Sequence, residues 1–258
     1  MKRKDTFEAP MGETTVLLHT CCAPCSSAII EAMMQNGITP VIYYCNPNIY
    51  PQEEYEIRKE ECTRYAQALG LEIIDADYDH ENWLAQMKGL EDEPERGGRC
   101  LKCFKLRLLR TAEYARQRGI KVIATTLASS RWKSLDQINE AGTWACQQSA
   151  SILAAVDIRR SSAVPLASAK CSENIAAATA PGSSLGEKPV CPNGAVDESR
   201  LGVDVFPVMT PVFWCHNWKK GGLQERRLQI LKEFNFYNQQ YCGCEFSMRK
   251  PLPSPLPE

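Results

Sequence analysis

The chain has 258 residues, of which 44% are hydrophobic, so it is long enough to bury a substantial core. Its formal net charge of -1 excludes a protein that binds nucleic acid through overall charge. No run approaches the roughly 18 apolar residues that a membrane span needs, and the basic residues 1–4 lead into acidic residues rather than an apolar signal core. We therefore expect a globular cytoplasmic protein with no membrane contact.

In chain order, the first half alternates strands and helices. Residues 14–18 predict a buried strand and residues 26–35 a helix, and a second strand follows at 40–44. Residues 52–69 predict an amphipathic helix that ends at Gly70, and residues 71–76 predict a third strand. This βαβαβ order predicts an α/β fold with a doubly wound, mostly parallel sheet and right-handed connections.

The second half continues this alternation and then changes composition. Further elements are predicted in order: a short helix at 80–90, a basic helix at 100–118, a strand at 120–127, a loop at 128–136 and a helix ending at Gln148. Residues 149–201 are rich in Ala, Ser, Gly and Pro, which predicts a flexible insertion. A strand at 203–208, a helix at 222–236 and a proline-rich tail at 248–258 follow. We expect one α/β domain over residues 12–247.

Thirteen cysteines, an odd number, indicate thiols and metal ligands rather than a disulfide framework. Seven of them lie in three close groups, which are Cys21, Cys22 and Cys25; Cys100 and Cys103; Cys242 and Cys244. The other six are isolated, and we expect most of them to be buried as small hydrophobic residues. The isolated thiols are Cys45, Cys62, Cys146, Cys171, Cys191 and Cys215.

The first group is predicted to lie on the turn between the first strand and the first helix. In an open parallel sheet this turn is where ligands bind. Nucleotide-binding folds place glycines and hydroxyls there to hold phosphate, whereas this chain places Cys21, Cys22 and Cys25 there. The thiols therefore predict a metal centre.

Cys100 and Cys103 are one helical turn apart on one face, so with Cys21 and Cys22 they would supply four thiolates. Four thiolates suit either zinc or an iron-sulfur cluster. Adjacent cysteines chelate a single ion awkwardly, which favours a cluster. Unrelated buried thiols are the remaining interpretation.

Cys242, Gly243 and Cys244 form a separate motif. The two thiols can close a small, strained disulfide ring that is easily reduced, which predicts a redox relay. Additional metal ligation is the alternative. His19, beside the first thiols, either donates a proton or a hydrogen bond to a metal ligand, or is a satisfied core histidine.

Five motifs, taken in order, resemble the QueH type of epoxyqueuosine reductase. They are LLHTCCAPCS, YYCNPNIYPQEEYEIRKE, RCLKCFKLRLLRTAEYA, TTLASSRWKSLDQINE and QQYCGCEFS. The resemblance covers residues 16–145 and 222–247, whereas the insertion 149–201 departs from the family. It implies a fold similar to the adenine nucleotide α-hydrolases (HUP). It also implies an iron-sulfur oxidoreductase that reduces epoxyqueuosine to queuosine at the tRNA wobble position, the last step of queuosine biosynthesis.

The resemblance also implies roles for the paired cysteines. Cys21, Cys22, Cys100 and Cys103 would hold a [4Fe-4S] cluster, with Cys242 and Cys244 as the redox-active pair. Cys25 would be a ligand of an additional mononuclear iron. The implied partners are the tRNA anticodon loop and an electron donor protein or other reductant.

Several basic residues in the matching motifs are predicted to hold tRNA phosphates despite the near-neutral total charge. They are Lys102, Lys105, Arg107, Arg110, Arg131 and Lys133. Two other functions remain open, an ATP-dependent tRNA thiolase-like enzyme and a zinc-stabilised RNA-binding module. The first turn lacks a glycine-rich phosphate loop, which speaks against the thiolase.

Overall fold

Within the described residues, five parallel strands form one sheet. The computed structural model describes residues 6–130, 133–161 and 209–248, with the backbone alone for 151–161. The strands are β1 (Thr15–Thr20), β2 (Thr39–Tyr44), β3 (Ile73–Asp75), β4 (Val122–Thr125) and β5 (Val212–Phe213). Their spatial order is β3, β2, β1, β4, β5, and each adjacent pair is parallel. The predicted doubly wound α/β fold is confirmed.

The described residues also contain six α-helices. They are α1 (Ala23–Gln35), α2 (Gln52–Ala68), α3 (His80–Met87), α4 (Gly98–Gln117), α5 (Leu135–Ser161) and α6 (Leu223–Glu233). Helix α1 packs against α2 and α6, and α4 packs against α5. Since parallel connections are right-handed, these two groups cover opposite faces of the sheet. Among the described helices, none combines the length and apolar character needed to cross a membrane.

The strand order places a binding crevice beside β1. From β1 the chain builds outward through β2 and β3 on one side, and β4 and β5 extend the sheet on the other. His19 of β1 pairs with Tyr43 of β2 and Thr125 of β4, so the carboxyl ends of these three strands lie side by side. Ligands of open α/β sheets bind at such a reversal of strand order.

Helix α1 begins earlier than predicted. Cys22 is its N-cap residue and Ala23 its first residue, so Cys25 lies in the first helical turn rather than on the preceding loop. Pro24 does not prevent this start, because the N–H that proline lacks would have no partner in a first turn. The three thiols therefore share a strand-to-helix junction whose second half is helical.

The largest difference from prediction concerns α5 and the strand that follows it. Helix α5 continues to Ser161, past the predicted end at Gln148, so the start of the predicted insertion is helical. Residues 149–161 contain Ala, Leu, Ile and Arg without glycine or proline, and these residues favour helix. Strand β5 at Val212–Phe213 was not predicted.

Several other predicted features lie outside the described residues. These are the strand at 203–208, the rest of the segment 149–201 with Cys171 and Cys191, and the tail from residue 249 onward. The domain boundaries at 12 and 247 stay a prediction.

Replacing Gly142 with alanine is expected to lower the free energy of unfolding by about 1–3 kcal/mol. A Cβ atom at this position of α5 would overlap the ring of Phe213, which is buried on β5. The helix and the edge strand would have to separate. Urea denaturation of both proteins measures this loss.

Gly98→Ala is the matched control for this substitution. Gly98 lies in α4, and a Cβ there would approach no atom closer than 3.8 Å. Alanine has the higher helix propensity, so stability should stay equal or rise by up to about 1 kcal/mol. Equal midpoints for Gly142→Ala and the unmodified protein would mean that β5 does not pack on α5 as described.

Candidate metal and redox site

Cys21, Cys22 and Cys25 lie together at the end of β1. Their sulfur atoms are all within 4.8 Å of one another, and the Sγ atoms of Cys21 and Cys22 are 3.9 Å apart. A short 3-10 helix, Thr126–Ser129, follows β4 and borders this group. The Cys21 N–H donates to Oγ1 of Thr126 at 3.3 Å. The ends of β1 and β4 thus build one pocket of sulfur atoms that could bind a metal.

The charge on this sulfur group is concentrated on Cys21. Hydrogen bonds from the thiols of Cys22 and Cys25 lower the pKa of Cys21 well below its usual value, and the positive charges of Lys133 and Arg107 lower it further. Burial raises the pKa of Cys22, and the hydrogen bond to Cys21 helps raise the pKa of Cys25 to about 12. A thiolate with two neighbouring sulfurs is a soft donor set that suits zinc or iron.

Cys100 and Cys103 lie in the first turns of α4, and they face the C-terminal thiols. One cavity is lined by Cys100, Cys242 and Cys244, and an adjoining cavity is lined by the same residues together with Cys103. Cys242 is half-buried and Cys244 is buried, and both are free thiols. The structure therefore brings Cys100 and Cys103 together with Cys242 and Cys244, which are separate motifs in the sequence.

Two positive charges connect the sulfur groups. Arg107 acts on the thiols of both Cys21 and Cys103, and Lys133 acts on Cys21, Cys25 and Cys242. Burial lowers the pKa of Lys133, but the negative charge of these cysteines outweighs it, so the pKa is raised. Within the described part of the chain, no carboxylate pairs with either cation. The site is therefore suited to anionic sulfur, and joint ligation by all four predicted cysteines stays a prediction.

Arg107 does not have the role predicted for it. The residue is 2% exposed, and its guanidinium donates to the carbonyl oxygen of Cys45 at 3.1 Å and to Oδ1 of Asn46. Asn46 in turn donates to the carbonyl oxygen of Thr20 at 2.9 Å, which ties the ends of β1 and β2 together. Because Arg107 is buried inside this network, the prediction that it holds a tRNA phosphate is wrong.

The other residues predicted to hold tRNA phosphates differ in their exposure and in their partners. Lys105 forms an ion pair with Glu140 at 2.7 Å, and Arg110 donates to the carbonyl oxygen of Asp77 at 3.3 Å. Lys102 is exposed, and Arg131 lies outside the described residues. Exposed Lys102 on α4 thus remains a candidate for contact with an anionic backbone.

His19 is a satisfied core histidine. Burial, reinforced by the charge of Arg107, lowers its pKa to about 3, so the ring is neutral. Its Nε2 lies 3.0 Å from the carbonyl oxygen of Cys45, which can only accept, so Nε2 carries the proton. Nδ1 then accepts from the hydroxyl of Thr125 at 2.8 Å. His19 holds the strand ends in place and has no ionisable proton to donate near neutral pH.

The turn at Cys242, Gly243 and Cys244 is docked on the loop that follows β2. The N–H of Tyr50 donates to the carbonyl oxygen of Gly243 at 2.8 Å. Gly243 has φ of +109°, a conformation that side chains disfavour, which explains the glycine between the two cysteines. Burial and the neighbouring Cys103 raise the pKa of Cys244 to about 12, so this thiol stays protonated.

Sequence reasoning missed two arginines that hold the loops of this site. Arg99 is 3% exposed and donates to three backbone carbonyl oxygens, those of Leu90, Glu91 and Glu93. Arg58 is also 3% exposed and lies beneath the Cys242 turn. Both occur in strongly charged stretches, where a solvated surface is the usual expectation. The sequence carried no signal that separates them from their exposed neighbours.

Comparison with known proteins matches the sequence of this chain to a family. The family model described as "Epoxyqueuosine reductase QueH" matches residues 16–174 and 200–250, which leaves a shorter unmatched segment than the predicted insertion 149–201. Three curated proteins with the same name are similar to this chain over most of their length. The relative from Histophilus somni is 37% identical over 94% of this chain and 76% of its own. The relative from Haemophilus influenzae is 35% identical over 95% and 76%, and that from Acinetobacter baylyi is 35% identical over 96% and 87%. By its sequence, from β1 to the Cys242 turn, this chain belongs to the QueH family of epoxyqueuosine reductases.

Proposed function

We propose that this protein reduces epoxyqueuosine to queuosine at the wobble position of tRNA. Cys21, Cys22, Cys100 and Cys103 hold a [4Fe-4S] cluster in this proposal, and Cys242 and Cys244 form its redox-active pair. The observation that carries it is that Cys100, Cys242 and Cys244 line one cavity. This cavity is also lined by Lys133, whose charge acts on Cys21 at the end of β1, in a chain of the QueH family.

The thiol donor set suits an iron-sulfur cluster, and among the described residues the sulfurs that lie within 4.8 Å of one another are those of Cys21, Cys22 and Cys25. Both predicted ligand pairs lie at the carboxyl edge of the sheet, where Arg107 is close enough to act on a sulfur of each pair. A cluster bound by four thiolates is anionic, and buried Arg107 and half-buried Lys133 supply compensating charge. When bound, such a cluster would supply electron transfer, and an additional iron with an open coordination position would supply the Lewis acid. Cys25, which completes the three-sulfur group, would be a ligand of an additional mononuclear iron.

The Cys242 and Cys244 thiols balance the reaction in electrons and protons. Removal of the epoxide oxygen breaks two C–O bonds, forms a carbon-carbon double bond and releases water, which requires two electrons and two protons. Oxidation of the two thiols forms one S–S bond and releases two electrons and two protons. An electron donor protein or another dithiol reductant would then reduce this disulfide for the next turnover.

The substrate nucleoside can reach the cavity because it lies in an anticodon loop. Single-stranded loops present bases that can be turned out into a protein pocket. Exposed Lys102 lies next to Cys103 on α4 and would contact the backbone of the loop. A tRNA substrate places the activity in the cytoplasm.

The proposal is tested with protein purified without oxygen and tRNA that carries epoxyqueuosine. After addition of a chemical reductant, nucleoside mass spectrometry should show the loss of one oxygen atom and the formation of queuosine. The reaction should proceed without ATP. Absence of queuosine with an iron-loaded protein would contradict the proposal.

Two further measurements in the same experiment test the two alternative functions, the thiolase-like enzyme and the RNA-binding module. A requirement for ATP with sulfur incorporation into tRNA would identify a thiolase-like enzyme. Stoichiometric zinc with tRNA binding and no turnover would identify an RNA-binding module. Metal analysis and the ATP dependence of product formation separate these outcomes.

A further inference from the structure

Arg58 of α2 is a buried cation that touches the backbone of the C-terminal cysteine turn. Its Nε and Nη2 atoms lie 2.7 and 2.6 Å from Oε1 of Glu54, and both residues are buried. The remaining N–H groups of the guanidinium point to the backbone of the turn. Nη1 donates to the carbonyl oxygen of Cys242 and Nη2 to that of Tyr241, each at 3.4 Å. Arg58 therefore connects a fixed helix to the residues around the proposed redox pair.

Further contacts restrict the same turn. The guanidinium carbon of Arg58 lies 5.2 Å from the centre of the Tyr241 ring, and the Tyr241 hydroxyl donates to the carbonyl oxygen of Tyr50. A Cβ on Gly243 would lie 3.0 Å from Nη1 of Arg58 and 3.0 Å from Cγ1 of Ile49. The turn fits closely against Arg58 and the loop after β2, so it has little room to shift.

Arg58 also acts on the first sulfur group. Burial opposes its charge, but the neighbouring Cys22 and the hydrogen-bonded Glu54 outweigh burial, so the pKa of Arg58 is raised. The guanidinium therefore holds the backbone of the C-terminal cysteine turn and also interacts electrostatically with the β1 thiols. A guanidinium is planar and has several donors, so it can hold the turn and also carry a charge near the β1 thiols. A lysine ammonium is a point charge.

We propose that Arg58 is a positioning residue for Cys242 and Cys244, which holds their turn so that both thiols face the cavity lined by Cys100 and Cys103. This inference rests on the proposed redox role of the pair. Arg58 does not touch the substrate in it. Its contribution is to keep the two sulfurs at a fixed place while they change between dithiol and disulfide.

Arg58→Lys is the first test, because it keeps the positive charge beside Glu54 and Cys22. Lysine cannot hold two carbonyl oxygens and stack on Tyr241 at the same time. We expect kcat to fall about 100-fold, the scale of a misplacement of about 1 Å. The KM for tRNA should stay within about twofold and the iron content unchanged, since binding and ligation are not altered. A purely structural defect would instead lower iron content and activity together.

Thiol labelling provides a readout that does not depend on turnover. In the reduced holoenzyme of Arg58→Lys, Cys242 and Cys244 should be alkylated faster than in the unmodified enzyme, as followed by peptide mass spectrometry. Buried Cys62 should stay unlabelled, because only global opening would expose it. Gly243→Ala should give the same pattern of labelling. Its loss of kcat should not add to that of Arg58→Lys, because both changes disturb one contact.

A variant that lacks both charges of the Arg58 and Glu54 pair tests the inference without leaving a buried charge unpaired. Arg58→Met alone leaves Glu54 buried without its partner, which is strongly destabilising. The double substitution Arg58→Met and Glu54→Gln removes both charges and should fold, with a kcat as low as that of Arg58→Lys.

Arg64→Met is the matched control on the same helix. Arg64 is exposed, donates to the carbonyl oxygen of Phe234 at 2.9 Å and lies 5.4 Å from the centre of the Phe236 ring. It makes the same kinds of contact away from the cysteine turn, so every readout should stay unchanged.

The possible failures are distinguishable. If Arg58→Lys has unchanged kcat and labelling while Cys242→Ser is inactive, only the positioning inference is overturned. If Cys242→Ser keeps full turnover, the proposed redox role fails, and the labelling of Arg58→Lys still decides whether Arg58 holds the turn.

Discussion

Serine in place of Cys100 is expected to remove most of the iron from protein purified without oxygen. The unmodified protein should be brown and contain several irons per chain, because the thiolates at the end of β1 and the start of α4 would share one cluster. A serine hydroxyl is a poor ligand for iron-sulfur centres, which are held by thiolates. Cys21→Ser, Cys22→Ser and Cys103→Ser should have the same effect. Iron and sulfide analysis, with the visible absorption spectrum, measures it.

Cys215→Ser is the control for this series. Cys215 is exposed and isolated from both sulfur groups, so its loss should leave iron, sulfide and colour unchanged. A colourless unmodified protein with one zinc would contradict the cluster. Full iron content in Cys100→Ser would instead remove Cys100 from the ligand set and favour a metal bound by Cys21, Cys22 and Cys25 alone.

Cys242→Ser and Cys244→Ser are expected to lower turnover of epoxyqueuosine tRNA by a thousandfold or more, on the order of the loss seen when a covalent catalytic group is removed. Each substitution prevents the S–S bond that would accept or deliver two electrons and two protons. Iron content and tRNA affinity should stay near normal, because neither thiol is a ligand in this proposal. Single-turnover assays with a chemical reductant separate the chemical step from tRNA binding.

The alternative role of these cysteines gives the opposite result. If they ligate metal, either substitution should lower the iron content along with turnover. The pair would then belong to the ligand set and the relay would be abandoned. Cys242 and Cys244 line the same cavities as Cys100 and Cys103, so their position allows either the redox role or metal ligation. The iron content of the two variants decides between these roles.

Local patterns were sufficient to predict four of the five described strands and the location of the first sulfur group. Short apolar runs alternating with amphipathic segments predict parallel strands and crossover helices, because burial follows the period of each element. The thiols at the end of β1 could be placed in a crevice for the same reason, since the topology of parallel sheets puts that turn at the ligand edge. Five ordered motifs further identified the QueH family, and the comparisons confirmed it.

Other features depended on contacts between distant residues. Arg107 and Arg58 occur in sequences as charged as any solvated helix, and only the packing of α4 and α2 on the sheet buries their side chains. Cys100 and Cys242 likewise line one cavity only because the chain returns to α4. More than half of the chain separates these two residues in sequence. No local periodicity encodes such a contact.

The sequence by itself determined the fold class, the family and the cysteine pairs available for chemistry, because these follow from local pattern and spacing. Only the tertiary structure decided that His19 is neutral and satisfied, that Arg107 is buried against Cys45 and Asn46 rather than exposed to phosphate, and that Arg58 contacts the Cys242 turn. The physical reason is that burial and electrostatic partners depend on which side chains come together in space. These partners set protonation states and positions within a site, and residues far apart in the chain supply them.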